Sequence, residues 1–200
     1  MKIMKKILLV ILVLIMSITL VSCVNNPSNK VGESLTQEDF SFVEINEKYW
    51  INIPKYMKET DALNDEASLQ YQNIFKEAYT IVIEEDKQEF VDMFKEYWEY
   101  NDDMSIVSNY RDVQMQFISE SMSEMKEWDI ISLKIDDLDA EMIEIDSKTE
   151  YTWNKWISFL YTFIEWDDNL YMIMSWTLSD RKYKYNNTFE KMAKSFKLLR

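Results

Sequence analysis

Histidine is absent from this 200-residue sequence, and Cys23 is its only cysteine. A Ser–His–Asp or Cys–His relay needs an imidazole, so nucleophilic catalysis of that kind is excluded. Zinc loses its two usual ligand types, and the two-histidine metalloprotease helix is excluded with it. Because Gly32 is the only glycine, the chain has no glycine-rich phosphate-binding loop. We therefore expect no enzyme, no cofactor and no catalytic residues.

Carboxylates are the remaining side chains that could do chemistry, and they are crowded in three places. These are Glu84–Asp86, the group Asp136, Asp137 and Asp139, and the pair Asp167–Asp168. Oxygen ligands suit calcium, but the spacing and the glycine of a calcium-binding loop are missing. Acidic turns in a very acidic chain explain the clusters more simply, and we predict no metal site. A glycosidase needs only two carboxylates in a cleft, and the sequence selects no such pair.

Seven tryptophans suggest an alternative function. Tryptophan and tyrosine rings would stack on sugars, so the alternative is a carbohydrate- or small-ligand-binding protein, and behind it a carboxylate-based hydrolase. Trp153, Trp156 and Trp176 stand in apolar, strand-like segments and are predicted to be core residues instead. An exposed cleft lined by tryptophans and paired carboxylates would favour the alternative.

The N-terminal residues have the pattern of an export signal. Lys2, Lys5 and Lys6 precede ten uninterrupted apolar residues, 7–16, a run too short to span a bilayer. The segment Leu20-Val21-Ser22-Cys23 resembles the lipobox read by bacterial lipoprotein signal peptidases. We predict that residues 1–22 are removed and that Cys23 carries the lipid, which anchors the chain on the outer face of the cytoplasmic membrane or to the outer membrane of a bacterial cell envelope.

Composition divides the remaining chain into a tether and a domain. Residues 23–38 are polar apart from the lipidated cysteine and a few apolar residues, and they predict a flexible tether without structure. Residues 39–200 are enough for a single domain with a sizeable core. Without the three signal lysines the basic residues number 19 against 36 acidic, a net charge of −17. This charge disfavours nucleic acid as a partner, and we expect a monomer that binds an envelope protein.

Apolar periodicity predicts an α+β domain with a mostly antiparallel sheet of seven or eight strands and helices packed on its faces. The predicted strands are 42–45, 49–53, 69–73, 78–83, 130–135, 140–145, 152–166 and 170–177. The predicted helices run from Lys87 to about Tyr100, from Ser105 to Met125, and from a cap at Asn187 to the C-terminus. In 152–166 the odd-numbered and the even-numbered side chains, which point to opposite faces of a strand, are both mostly apolar. This strand must therefore be covered on both faces. In the turn 167–169 we expect Asn169 to take the left-handed conformation.

The last third of the chain resembles a known superfamily. It is similar to the PsbP-like/Mog-like domain in four successive features: a long aromatic strand, the turn Trp166-Asp167-Asp168-Asn169, the strand 170–177 and a final helix ending in Lys194-Ser195-Phe196-Lys197-Leu198. The early segment Tyr49-Trp50-Ile51-Asn52-Ile53-Pro54 resembles the opening strand of the same domain. That superfamily includes photosystem accessory proteins, Ran-binding proteins and bacterial lipoproteins. The resemblance covers Phe40 to Arg200. It implies a non-catalytic binding or assembly module and transfers no site residue.

Overall fold

The computed structural model describes residues 32–97, 99–127, 129–149 and 155–199. In these residues, segments with alternating apolar side chains form strands and segments with helical spacing form helices. The strands are β1 (Phe40–Ile45), β2 (Tyr49–Pro54), β3 (Lys58–Glu59), β4 (Leu69–Asn73), β5 (Ala78–Asp86), β6 (Met122–Glu127), β7 (Ile131–Ile135), β8 (Leu138–Thr149), β9 (Ile157–Trp166), β10 (Asn169–Leu178) and β11 (Lys197–Leu198). The helices are α1 (Lys87–Glu96), α2 (Ile106–Glu120) and α3 (Lys182–Lys194). The predicted α+β class is confirmed.

Two antiparallel sheets are present. The larger has eight strands in the order β3-β4-β5-β10-β9-β8-β6, and β7 also pairs with β8. Because β8 is 12 residues long, it pairs with β7 near its start and with β6 near its end, so these two strands lie one after the other along the same edge. The smaller sheet has the order β1-β2-β11 and joins the C-terminus to the start of the domain.

Both faces of the larger sheet are covered, as the sequence predicts for its most apolar strand. On one face, Phe159, Tyr161 and Phe163 of β9 pack with residues of α1 and α2 in one apolar cluster. On the other face, Leu160 and Ile164 pack with α3 and the smaller sheet in a second cluster. The first eight residues of β9 are all buried. No helix in the described part of the chain is long and apolar enough to cross a membrane.

The first two helices begin at polar caps. The side chain of Asp86 accepts a hydrogen bond from the Glu89 N–H (2.7 Å) at the start of α1, and Ser105 accepts one from the Ser108 N–H (3.1 Å) at the start of α2.

The predicted end of the second helix at Met125 is wrong. The helix ends at Glu120, and residues 122–127 form strand β6, because pairing with the free edge of β8 supplies their backbone hydrogen bonds.

The last helix begins earlier than predicted. It starts at Lys182 and follows directly from a 3₁₀ turn at Ser179–Arg181, so Asn187 lies inside the helix and does not cap it. Tyr185 and Phe189 stand four residues apart and are both buried, and they extend the apolar stripe toward the N-terminus. This stripe favours helix over the turn that the polar residues 186–188 suggest in isolation.

The hairpin turns use acidic residues where other proteins use glycine. Asp136 and Asp137 have φ values of 49° and 66°, and Asp167 has a φ of 36°. Asn169 is already in β10, so the prediction that it is the left-handed residue of its turn is wrong. Apart from glycine, Asp and Asn tolerate this conformation best, and this domain without glycine uses them together with Glu47 and Glu77.

Candidate functional site

The three acidic groups that the sequence singles out lie at the same end of the larger sheet. Asn169 pairs with Asp86 on one side and with Trp166 on the other, so the Asp167–Asp168 turn lies beside the start of α1. A hydrogen bond from the Lys87 N–H to the Asp168 carbonyl (2.9 Å) joins the two directly. On the next strand Ala140 pairs with Ile164, which brings the turn before β8 to the same level. We call Glu84–Asp86, Asp136–Asp137, Asp139 and Asp167–Asp168 the acidic end.

Lysines neutralise part of the acidic end. Three ion pairs join Lys48 to Glu84 (2.8 Å), Lys134 to Asp139 (2.7 Å) and Lys197 to Asp136 (3.9 Å), and Lys87 at the same end pairs with the neighbouring Glu165 (3.5 Å). Asp137, Asp167 and Asp168 are exposed, and no lysine or arginine of the described residues pairs with them. The acidic end therefore keeps an excess of negative charge on its outer surface.

The exposed carboxylates Asp137, Asp167 and Asp168 of the acidic end stand in two separate turns. Among the described residues no three carboxylate or thiol side chains stand close enough together to hold a metal ion. What the arrangement offers chemically is a broad negative field with several hydrogen-bond acceptors. Such a field attracts basic surfaces and repels phosphates.

Two carboxylates, one of them the Glu85 of the acidic end, are held beneath the helices. Glu141 of β8 is buried and forms an ion pair with Arg111 of α2, and it accepts a hydrogen bond from Ser108 (2.7 Å). Arg111 also pairs with the neighbouring Asp112 (2.7 Å). Because both buried partners are engaged within the protein, the Arg111–Glu141 pair positions α2 on the sheet.

Glu85 of β5 is the other such carboxylate. Burial raises the pKa of its carboxyl group above the usual value, an effect that the nearby Tyr110 hydroxyl and Gln114 amide partly offset and that the charge of Glu89 increases. The Gln114 side chain donates a hydrogen bond to it at 2.8 Å. A perturbed acid in a cleft is one mark of a catalytic site, but this one is partly buried against α2, where the Gln114 side chain holds it.

The tryptophans do not line a common surface in the described residues. Trp176 is buried and stacks on Tyr79 with ring centroids 5.3 Å apart, as expected of a core residue. Trp156 is only partly buried, contrary to its predicted place in the core, and two lysine side chains lie over its ring at 4.5 and 4.9 Å. Trp50 contacts Phe42 (4.7 Å) and Trp166 packs against the cluster beneath α3. Trp153 lies outside the described residues.

The end of the predicted tether docks onto the domain. Glu33 accepts hydrogen bonds from the Tyr56 hydroxyl (2.9 Å) and the Thr188 hydroxyl (3.1 Å), and it pairs with Lys76 (3.1 Å). Its own N–H donates to the Lys184 carbonyl (2.9 Å). Residues 37–39 then form a 3₁₀ turn that a capping box at Thr36 stabilises.

The expectation of an unstructured tether is therefore wrong for residues 33–38. A largely buried glutamate with three side-chain donors replaces the freedom that their polar composition suggests. The sequence carries no local signal for this docking, because the donors come from three distant segments. Cys23, the predicted lipidation site, lies outside the described residues.

The fold is that of the PsbP-like/Mog-like class, which confirms the resemblance noted in the sequence. The solution structure of cyanobacterial PsbP (CyanoP) from Synechocystis sp. PCC 6803 matches with a TM-score of 0.56 at 12% identity, over 86% of this chain and 99% of that one. The Ran-binding protein Mog1p of Saccharomyces cerevisiae matches with a TM-score of 0.54 at 9% identity, over 80% and 95%. No protein-family model and no curated sequence matches the chain.

Proposed function

We propose that this chain is a bacterial lipoprotein, anchored through Cys23, that acts as a non-catalytic binding or assembly module of the cell envelope. The export signal and the lipobox support the anchor. The fold supports the binding role, because it also serves a protein described as Ran-binding. The absence of histidine and of a free thiol removes the commonest catalytic groups.

The observation that carries the proposal is the position of the acidic end relative to the tether. Strand β10 begins at the acidic end and finishes at Leu178, where the chain turns into α3, and the tether docks on α3 near Lys184. Strand β5 spans the same distance in nine residues, whose eight steps of about 3.4 Å give about 27 Å. A domain held at the tether thus presents its acidic end away from the anchor.

The partner that fits this surface is a protein with a basic face. An excess of negative charge raises encounter rates with such a face by about 10- to 1000-fold at low salt. At physiological ionic strength screening limits the reach of the field to about 8 Å, so association slows with salt while dissociation changes little. The lipid confines the domain to a thin layer and raises its effective concentration for partners on the same membrane, so weak contacts suffice.

The test has two steps, and the first is cross-linking in intact cells to recover the partner. The second measures association and dissociation rates of the mature protein with that partner over a salt series. Neutralising the unpaired acids with Asp137→Asn, Asp167→Asn and Asp168→Asn should lower the association rate about tenfold at low salt and leave the dissociation rate nearly unchanged.

A matched control neutralises three exposed acids in the loop between β3 and β4, Asp61, Asp65 and Glu66. It removes the same net charge from the edge of the sheet and should lower the association rate much less. Equal effects of the two triple variants would show that the acidic end has no special role. Turnover of a glycan or peptide by the purified protein, abolished by Glu85→Gln or Glu141→Gln, would overturn the non-catalytic function itself.

A further inference from the structure

The turn between β4 and β5 exposes large apolar side chains. Phe75 is 82% exposed and Ile74 is 51% exposed, and both stand in the four-residue turn 74–77. Solvent-exposed apolar groups of this size that cluster together mark interaction sites, whereas single ones are ordinary. Phe75 is the most exposed of the large apolar residues in the described part of the chain.

A third exposed apolar residue follows the segment that contacts this turn. Tyr183, at the start of α3, is 40% exposed. The guanidinium of Arg181, two residues earlier, donates to the carbonyls of Phe75 (3.4 Å) and Lys76 (3.1 Å) and pairs with Glu77 (3.4 Å). These contacts hold the turn against α3, so the apolar side chains are presented by a rigid support.

The tether joins the domain at the same place. Lys76, next to Phe75, forms the ion pair with Glu33, and a side chain at Gly32 would meet the Tyr183 carbonyl at 3.3 Å. Cys23 is only nine residues before Gly32, a stretch of chain that spans at most about 32 Å. The lipid therefore lies within about 32 Å of Gly32, whose backbone adjoins Tyr183.

Two basic residues flank the apolar turn. Lys76 follows Phe75 and pairs with Glu33, and Arg181 donates to the carbonyls of the turn and pairs with Glu77. Aromatic and aliphatic side chains flanked by lysine and arginine suit the headgroup region of a bilayer, where the apolar part inserts and the cations remain among phosphates.

We propose that Ile74, Phe75 and Tyr183, with the surrounding basic residues, form a membrane-contacting patch that lies on the lipid surface when the chain is anchored. The occupant is the bilayer that holds the acyl chains of Cys23, so the inference rests on the proposed anchor. The patch fixes the orientation of the domain. The long axes of β5, β9 and β10 then stand upright on the membrane, and the acidic end lies farthest from it.

A single introduced thiol tests this orientation, because acylation of Cys23 leaves no native thiol free. The mature protein is purified from the membranes of producing cells as the variant Phe75→Cys or Ile131→Cys, and an environment-sensitive fluorophore is attached. Ile131 is the matched control, since it is 58% exposed but lies on β7 at the other edge of the sheet. Both proteins are reconstituted in vesicles of phosphatidylethanolamine and phosphatidylglycerol whose acyl chains carry nitroxides.

We expect the nitroxides to quench the label at position 75 strongly and to leave the label at position 131 unchanged. Adding Ile74→Ser and Tyr183→Ser to Phe75→Cys should weaken the quenching. An unquenched label at position 75 on protein that floats with the vesicles would overturn the patch while leaving the anchor intact, and so would equal quenching at both positions. Protein that fails to float, with an unmodified Cys23 or an intact Met1 by mass spectrometry, would overturn the anchor itself.

Discussion

Phe163 shows how strongly one side chain depends on the layers around it. It is fully buried in β9, and its ring packs edge-on against Tyr110 of α2 at a centroid distance of 5.7 Å. A charge at this position would have no partner and no access to water, which costs several kcal/mol. Because whole domains are stable by only about 5–15 kcal/mol, Phe163→Asp should unfold most of the protein at room temperature.

The measurement is thermal unfolding of residues 24–200 made without lipid, which we expect to fold as a soluble monomer without metal. Ile131→Asp is the control, because the same charge on an exposed residue should change the free energy of unfolding by about 0.5 kcal/mol or less. Unchanged thermal stability of the Phe163→Asp variant would show that β9 is not part of the core.

Glu85 makes stability depend on pH through a single carboxyl group. Burial raises its pKa in the folded state, so between the unfolded value of about 4.3 and the raised value the folded chain binds more protons than the unfolded one. The free energy of unfolding therefore falls as pH rises through this window. Glu85→Gln should be more stable than the wild type at neutral pH and equal to it below pH of about 4.

The check is a series of denaturant unfolding curves from about pH 2 to about pH 8, which covers both carboxyl titrations. Asp39→Asn serves as a control of opposite sign, because hydrogen bonds from the Thr36 N–H and hydroxyl lower the pKa of Asp39. The stability that Asp39 contributes is present above its unfolded pKa and is lost as pH falls through the folded one. A Glu85→Gln variant that is less stable than the wild type at neutral pH would contradict the raised pKa.

At the scale of elements, the Arg111–Glu141 pair decides how α2 sits on the sheet. Both side chains are about nine-tenths buried, so removing one partner strands the other charge away from water. Arg111→Met alone should lower the free energy of unfolding by about 3–5 kcal/mol, whereas Arg111→Met combined with Glu141→Leu should be near neutral. A double-mutant cycle by denaturant unfolding measures the coupling directly.

The exposed pair of Lys148 with Glu124 gives the comparison for this cycle. More than half of the Glu124 side chain is in solvent, and truncating Lys148 to Met should change stability by about 1 kcal/mol or less. If Arg111→Met cost no more than Lys148→Met, the buried pair would not hold α2 in place.

At the scale of the whole molecule, the two ends of the larger sheet differ in surface chemistry. The turns of one end contribute Asp136, Asp137, Asp167 and Asp168, and the turn between β4 and β5 at the other end contributes Ile74 and Phe75. Because the tether docks at the second end, the acidic end lies on the side of the domain away from the proposed anchor. The proposed partner then meets the acidic end, and the proposed membrane contact occupies the apolar turn.

The sequence alone determined the class of fold, because secondary structure depends on local periodicity. Both faces of β9 carry apolar side chains, and Phe90, Val91 and Phe94 of α1 follow helical spacing, as do Ile106, Tyr110 and Val113 of α2. Such patterns need no knowledge of distant partners. In the described residues they identified eight of the strands and the three α-helices, although the predicted boundaries were wrong: the first helix ends at Glu96 instead of about Tyr100, the second ends early and the third starts early.

The tertiary structure decided which segments meet. Residues 122–127 became a strand only because the edge of β8 was free to pair with them, and this pairing outweighed their helical spacing. The three acidic groups, up to 84 residues apart in the chain, share one end because β10 lies between β5 and β9. Glu33 gains its donors from Tyr56, Lys76 and Thr188, of which the last is 155 residues away. Contacts at such separations depend on strand order and register, which are set by the packing of the whole core and leave no trace in the local pattern of residues.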